Sequence, residues 1–133
     1  MDSDDLFHKD VTKTIQSFGF LDNRALWFSQ GYVFNTETEE LNFWEPRICP
    51  PFYTVLFKAE DFFNPATYFS KMVAKLKAHH EVPKVFNAKK LEGRKYLVTI
   101  NGKNIATKWS NAYKGESISE RREKEKILKD FGL

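Results

Sequence analysis

ALWFSQGYVFNTETEELNFW, residues 25–44, is the stretch whose reading decides the fold. Its aromatic and β-branched content suits strand rather than helix. Tyr32-Val33-Phe34 and Leu41-Asn42-Phe43-Trp44 flank the polar run Thr36-Glu37-Thr38-Glu39-Glu40, which is the pattern of a β-hairpin. Gly31 interrupts the run from Ala25 to Asn35, either as a bulge or within a Ser29-Gln30-Gly31 turn that divides it into two strands. On the other side, Pro46, Pro50 and Pro51 close the hairpin off, because proline cannot donate to a ladder. Phe52-Tyr53-Thr54-Val55-Leu56-Phe57 supplies the next strand.

Helices are expected on both sides of this block. Ser3 can cap a helix running to about Phe18, with Asp4 and Asp5 in its first turn, Phe7, Val11, Ile15 and Phe18 as its apolar stripe and Gly19 ending it. Asn64 and Pro65 open a second helix, in which Tyr68, Phe69, Met72, Val73 and Leu76 follow the helical period to about His80. Pro83 should stop it. A less regular segment from Glu81 to Gly93 leads to Asn101-Gly102, the favoured pair for a type I′ turn, and predicts a hairpin of Lys95 to Ile100 with Lys103 to Trp109. Val98 would then face Ile105, and Tyr96 would face Thr107. The chain finishes with a charged helix from Ser117 to Phe131, followed by Gly132. Its few apolar positions, Ile118, Ile127, Leu128 and Phe131, suggest a narrow docking stripe and a surface available to a partner.

The expected class is α+β: a mainly antiparallel sheet with about three helices, in the order α-β-β-β-α-β-β-α. In element order alone the chain resembles the small chaperones of type III secretion systems, which would imply a homodimer that wraps an extended client. No motif accompanies that likeness, and element order does not transfer function.

Composition bounds the rest. A chain of 133 residues with 13 Phe, 5 Tyr and 3 Trp has enough bulk for one core over residues 1–133 and too little length for two. The single cysteine, Cys49, excludes an internal disulfide and a cysteine metal cluster, which suits a reducing compartment. The acidic start lacks the features of a secretory signal, and no run approaches the roughly 20 apolar residues of a membrane span. A cytoplasmic protein with no membrane partner is therefore expected.

The net charge of +3 hides a division along the chain. Residues 1–70 carry 5 Lys+Arg against 11 Asp+Glu, whereas residues 71–133 carry 16 against 7. A basic half attracts polyanions. Lys84, Lys89, Lys90, Arg94, Lys95, Lys103, Lys108 and Lys114 interleave with Phe86, Tyr96, Trp109 and Tyr113, the mixture that nucleic-acid binders use, and Arg121 and Arg122 extend the set into the terminal helix.

Catalytic patterns are weaker. His79 and His80 are adjacent, so they point about 100° apart on a helix and miss the i, i+4 spacing of a chelating pair. Cys49 has no basic neighbour to activate it, and the six glycines are too dispersed for a phosphate loop or a dinucleotide fingerprint. Glu37, Glu39, Glu40 and Glu45 are the residues a metal-dependent nuclease could use, without the accompanying strand signature. The leading expectation is a small non-enzymatic protein, without cofactor or bound metal, that engages nucleic acid or another polyanion. The alternative is an adaptor, inhibitor or chaperone-like protein of phage or plasmid type that docks on a partner protein, with an acidic protein surface as the rival occupant of the basic half.

Overall fold

A computed structural model describes residues 5–18, 24–46, 52–56, 68–103, 108–112 and 114–133, with isolated positions 58, 60, 64 and 66. Helices and strands are mixed, and the strands form two sheets. The first has five: β1 (Asp5–Phe7), β7 (Tyr96–Ile100), β3 (Gly31–Asn35), β4 (Glu40–Trp44) and β8 (Lys114–Ser117), in that spatial order. The second has three: β5 (Tyr53–Leu56), β2 (Arg24–Phe28) and β6 (Lys89–Leu91). Neighbours are antiparallel except β3 with β7 and β2 with β6, which are parallel. Four α-helices are described: α1 (Val11–Gln16), α2 (Tyr68–Val73), α3 (Val82–Val85) and α4 (Arg121–Asp130).

Side-chain alternation along the strands builds four layers. Leu26, Phe28 and Leu91 of the small sheet meet Val33, Tyr96, Val98 and Ile100 of the large one in a shared core, with Phe52 stacked on Tyr96 at 4.3 Å between centroids. The next residues in register point away. Phe34, Leu41 and Leu97 pack under α4, through Ile118, Ile127, Leu128 and Phe131. Ala25, Trp27 and Val55 pack under α2 and α3, through Met72, Leu76, Val82 and Phe86. The two outer helical layers thus lie on opposite sides of the molecule. All five residues of β7 are buried, as befits a central strand covered on both faces, which has no solvent-facing polar side.

The hairpin of residues 32–44 forms as the sequence predicts, with Tyr32 opposite Phe43 and Phe34 opposite Leu41. Asn35 Oδ1 accepts from the Glu37 and Thr38 amides and so nucleates the turn. Gly31 begins β3 rather than forming a bulge, and β2 and β3 enter different sheets. A Cβ at Gly31 would lie 2.3 Å from the Tyr96 ring, so close packing requires the glycine.

Elsewhere the expected order is corrected. Asp5–Phe7 is a strand rather than the first turn of a helix, because it pairs with the edge of β7, and a shared ladder outweighs local helix preference. The apolar stripe survives in part, with Val11, Ile15 and Phe18 packed against the central core. Ser3 and Gly19 lie outside the described residues. The second helix, described from Tyr68, ends at Val73, short of the expected His80: residues 74–78 leave the helix and His79–Glu81 is a separate 3-10 turn. Asn64 Oδ1 accepts from the Ala66 amide ahead of it, and i to i−3 bonds from Lys75 and Leu76 tighten its end. Pro83 does not terminate that helix; it sits in the first turn of α3, where a missing N–H costs nothing.

The predicted Asn-Gly hairpin fails for a topological reason. Tyr96 and Val98 face Phe7 and Asp5 on one side, while residues 97–100 pair with β3 on the other, so no edge is open to residues 105 and 107. Residues 104–107 lie outside the described set, and Trp109–Asn111 is a 3-10 turn. Ser117 closes β8 instead of opening the last helix, which Glu120 caps by accepting from the Arg122 and Glu123 amides. Gly132 ends that helix at φ +83°, as expected of a C-terminal glycine. The single sheet becomes two, and the likeness in element order to secretion chaperones goes with the order on which it rested.

Candidate functional site

The structure separates the ten basic residues singled out in the sequence. Arg121 and Arg122 lie on α4, outside the large sheet, and Lys84 lies on α3, outside the small one. These are opposite faces. Arg94 is committed internally: its guanidinium donates to Gly31 O at 3.2 Å and to Glu45 Oε1 at 3.1 Å, and it lies 4.4 Å over the Phe43 ring. Lys95 Nζ stands 3.5 Å from His8 Nδ1, which also accepts from the Asp10 amide. Lys9 Nζ pairs with Asp130 Oδ1 at 2.7 Å and holds the Asp130 carboxyl below its ordinary range, while the same bond raises the Lys9 ammonium. With Lys9 N–H donating to Asp130 O, this cluster latches the end of α4 to β1.

Lys103, Lys108 and Lys114 occupy a third region. Lys114 Nζ lies 4.3 Å over the Trp109 ring. Lys108 and Trp109 line an open cleft of about 250 Å³ with Asn35, Glu37 and Asn101. Lys103 follows Gly102, whose amide donates to Glu37 Oε1, so Lys103 and Lys108 sit beside the acidic turn of the hairpin, whereas Lys114 pairs with Trp44 at the other end of β4. Arg121 pairs with Glu125 at 2.8 Å, and Arg122 is exposed in the first turn of α4.

Lys84 and Lys90 share the helix-bearing side of the small sheet with three lysines that the sequence reading left out, Lys71, Lys75 and Lys77. Residues 71–90 hold six lysines against one acid, Glu81, a surplus of five. All six are exposed, and none makes an ion pair with another described residue. Glu81 is already engaged: its Oε2 accepts from the Lys77 amide at 2.8 Å, and that bond holds the carboxyl below its usual value. Met72, Leu76, Val82 and Phe86 pin α2 and α3 on the same side of the small sheet, and Lys90, in register with Trp27 on the edge strand β6, points to that side; Lys89, in register with Leu26, turns the other way, with its Nζ 4.8 Å from the Phe18 ring. Charge counted within this window, rather than over half the chain, was the signal that would have found the missing three.

The terminal segment contrasts with it. Residues 114–133 carry six basic residues against five acidic ones, so their surplus is one. One stripe docks α4, with Ile127 and Leu128 half-buried and Phe131 buried just after it, its N-terminal amides are taken by Glu120, and its outer face is exposed.

Carboxylates proposed for metal are pulled apart. Glu40 begins β4 and Glu45 follows its end, roughly 17 Å away at about 3.4 Å per strand residue, and Glu45 faces Arg94. Among the described residues no group of three or more His, Cys, Asp or Glu converges on one point. The His79 and His80 rings meet edge-on at 6.1 Å between centroids. Cys49 lies outside the described residues. No helix among the described residues is long and apolar enough to cross a membrane. Comparison with protein families, with curated proteins and with solved structures returns no match.

Proposed function

We propose that this protein is a small, non-catalytic domain that binds polyanions through the outer face of its three-stranded sheet, with a cytoplasmic setting suited to its single cysteine. The observation that carries the reading is the uncompensated charge of residues 71–90: six exposed lysines, all but Lys89 on the helix-bearing side, against one carboxylate that is itself committed to a backbone amide. Exposed cations near one another hold a counter-ion atmosphere that a polyanion displaces, and the gain appears as a steep dependence of affinity on salt. The ten residues expected from sequence reduce, in this reading, to Lys84 and Lys90, joined by Lys71, Lys75 and Lys77.

Heparin binding followed by a fluorescence titration at several salt concentrations tests it. The expected result is a log-log slope of several units that falls when Lys75, Lys84 and Lys90 are changed together to Gln. Absence of binding at low salt, or binding that ignores salt, sinks the reading and leaves the partner-protein alternative to be pursued.

A further inference from the structure

We propose that the polyanion held on this face is a single-stranded nucleic acid, with Tyr53 as the platform on which one base stacks while Lys90 and the lysines of the helical layer hold its phosphates. The inference rests on the polyanion reading above and narrows it to a substrate class.

Register across the small sheet carries the argument. Tyr53 is the partner of Trp27, and Trp27 is the partner of Lys90, so the three stand in one row across β5, β2 and β6. Partners in a ladder point to the same face. That face is the helix-bearing one, because Ala25 and Val55, the pair two residues along, pack with Val82 and Phe86. Two strand spacings put the backbones at Tyr53 and Lys90 about 10 Å apart. A lysine side chain is long enough to close that gap on the phosphate of a nucleotide whose base lies against Tyr53.

Among the described residues Tyr53 is also one of few large apolar side chains left open to solvent, at 36% exposure, whereas Trp27 beside it is half-buried under the helices. An exposed aromatic ring in line with a lysine finds no planar base to stack on in a sulfated sugar or in a closed duplex, whose bases are already stacked. It does contribute to an unpaired strand, where a base can lie on it. The cations of residues 71–90 are all lysines. Lysine meets phosphate as a point charge, and the bidentate fork that reads guanine edges belongs to arginine, so binding without base preference is the natural outcome.

Anisotropy titrations of the full chain with a labelled oligothymidine, a mixed-sequence duplex and heparin test this inference separately from the broader reading. Tyr53→Ala should weaken oligothymidine binding about fivefold or more, the low end of what one stacked base contributes. Tyr53→Phe should bind like the parent chain, and neither change should affect heparin or duplex affinity. Circular dichroism melting of both variants should match the parent, which separates lost stacking from lost structure. If Tyr53→Ala leaves oligothymidine affinity unchanged, or the duplex binds as tightly as the strand, the single-strand inference is overturned. Should heparin still bind and weaken with the lysine changes, the polyanion reading survives that failure. If nothing anionic binds, both fall together.

Discussion

The two outer layers of this molecule use charge in opposite ways. Helix α4 balances its own cations: Arg121 pairs with Glu125, Glu120 caps the first turn, and Asp130 holds Lys9 at the far end. Residues 71–90, which span α3 and the lysines around it as far as β6, hold as many basic residues as residues 114–133 but a single acid. Both layers are anchored by a buried phenylalanine, Phe131 under one and Phe86 under the other. Anchoring therefore does not distinguish them. What differs is whether the exposed charge is neutralised within the element or left as a field, and only the second can draw a polyanion across solution.

The most severe way to break this contrast is to remove the anchor of the basic layer. Phe86 is 1% exposed, and Phe86→Ala should destabilise the protein by about 3–5 kcal/mol in urea unfolding. Ile127→Ala, at a half-buried site on α4, should cost less in the same measurement.

A sharper probe leaves the fold intact. If five lysines contact single-stranded DNA, log affinity should fall against log salt with a slope of about −3.5. Changing Lys75, Lys84 and Lys90 to Gln should lower that slope by about 2. Changing Arg121 and Arg122 to Gln should leave it unaltered, and equal losses from the two layers would erase the distinction between them.

Gly31→Ala tests the shared core beneath both layers. The added methyl meets the Tyr96 ring and the Tyr96 carbonyl, and should cost about 1–3 kcal/mol, read as a lowered urea midpoint. Glu120→Ala removes the cap of α4 at a cost of about 1 kcal/mol and should speed amide exchange at Arg122 and Glu123.

The smallest effect concerns the latch of α4. Asp130 titrates below its ordinary 3.8 when folded because Lys9 bonds it, so its contribution is present above that value and is lost as pH falls through the lower folded one. Lys9 is raised from 10.5, so its side of the pair contributes below that value and is lost as pH rises through the higher folded one. Both groups are solvent-screened, and the change in melting temperature should be slight. Asp130→Asn should flatten the acid limb of the melting curve against pH.

Much of the fold was legible where the signal is local. The hairpin of residues 32–44 needed only alternation, a polar turn and the prolines behind it. Gly132 at the end of α4 and the late start of β5 after Pro51 follow from single-residue chemistry. The candidate surface was half legible: Lys84 and Lys90 stood out, but a division of charge after residue 70 also swept in Arg94, which the fold spends on Gly31 and Glu45.

Sequence alone thus determined which segments bury apolar surface, where several turns fall, and that cations outnumber anions after residue 70. Tertiary structure decided which strand lies beside which, and with that everything non-local. Asp5–Phe7 took the edge of β7 that the Asn-Gly hairpin would have needed, and β2 and β3 parted into different sheets. Lys90 came into line with Trp27 and Tyr53. A ladder forms between whichever edges the whole chain can bring together at once, and no window of sequence holds the competitors for an edge.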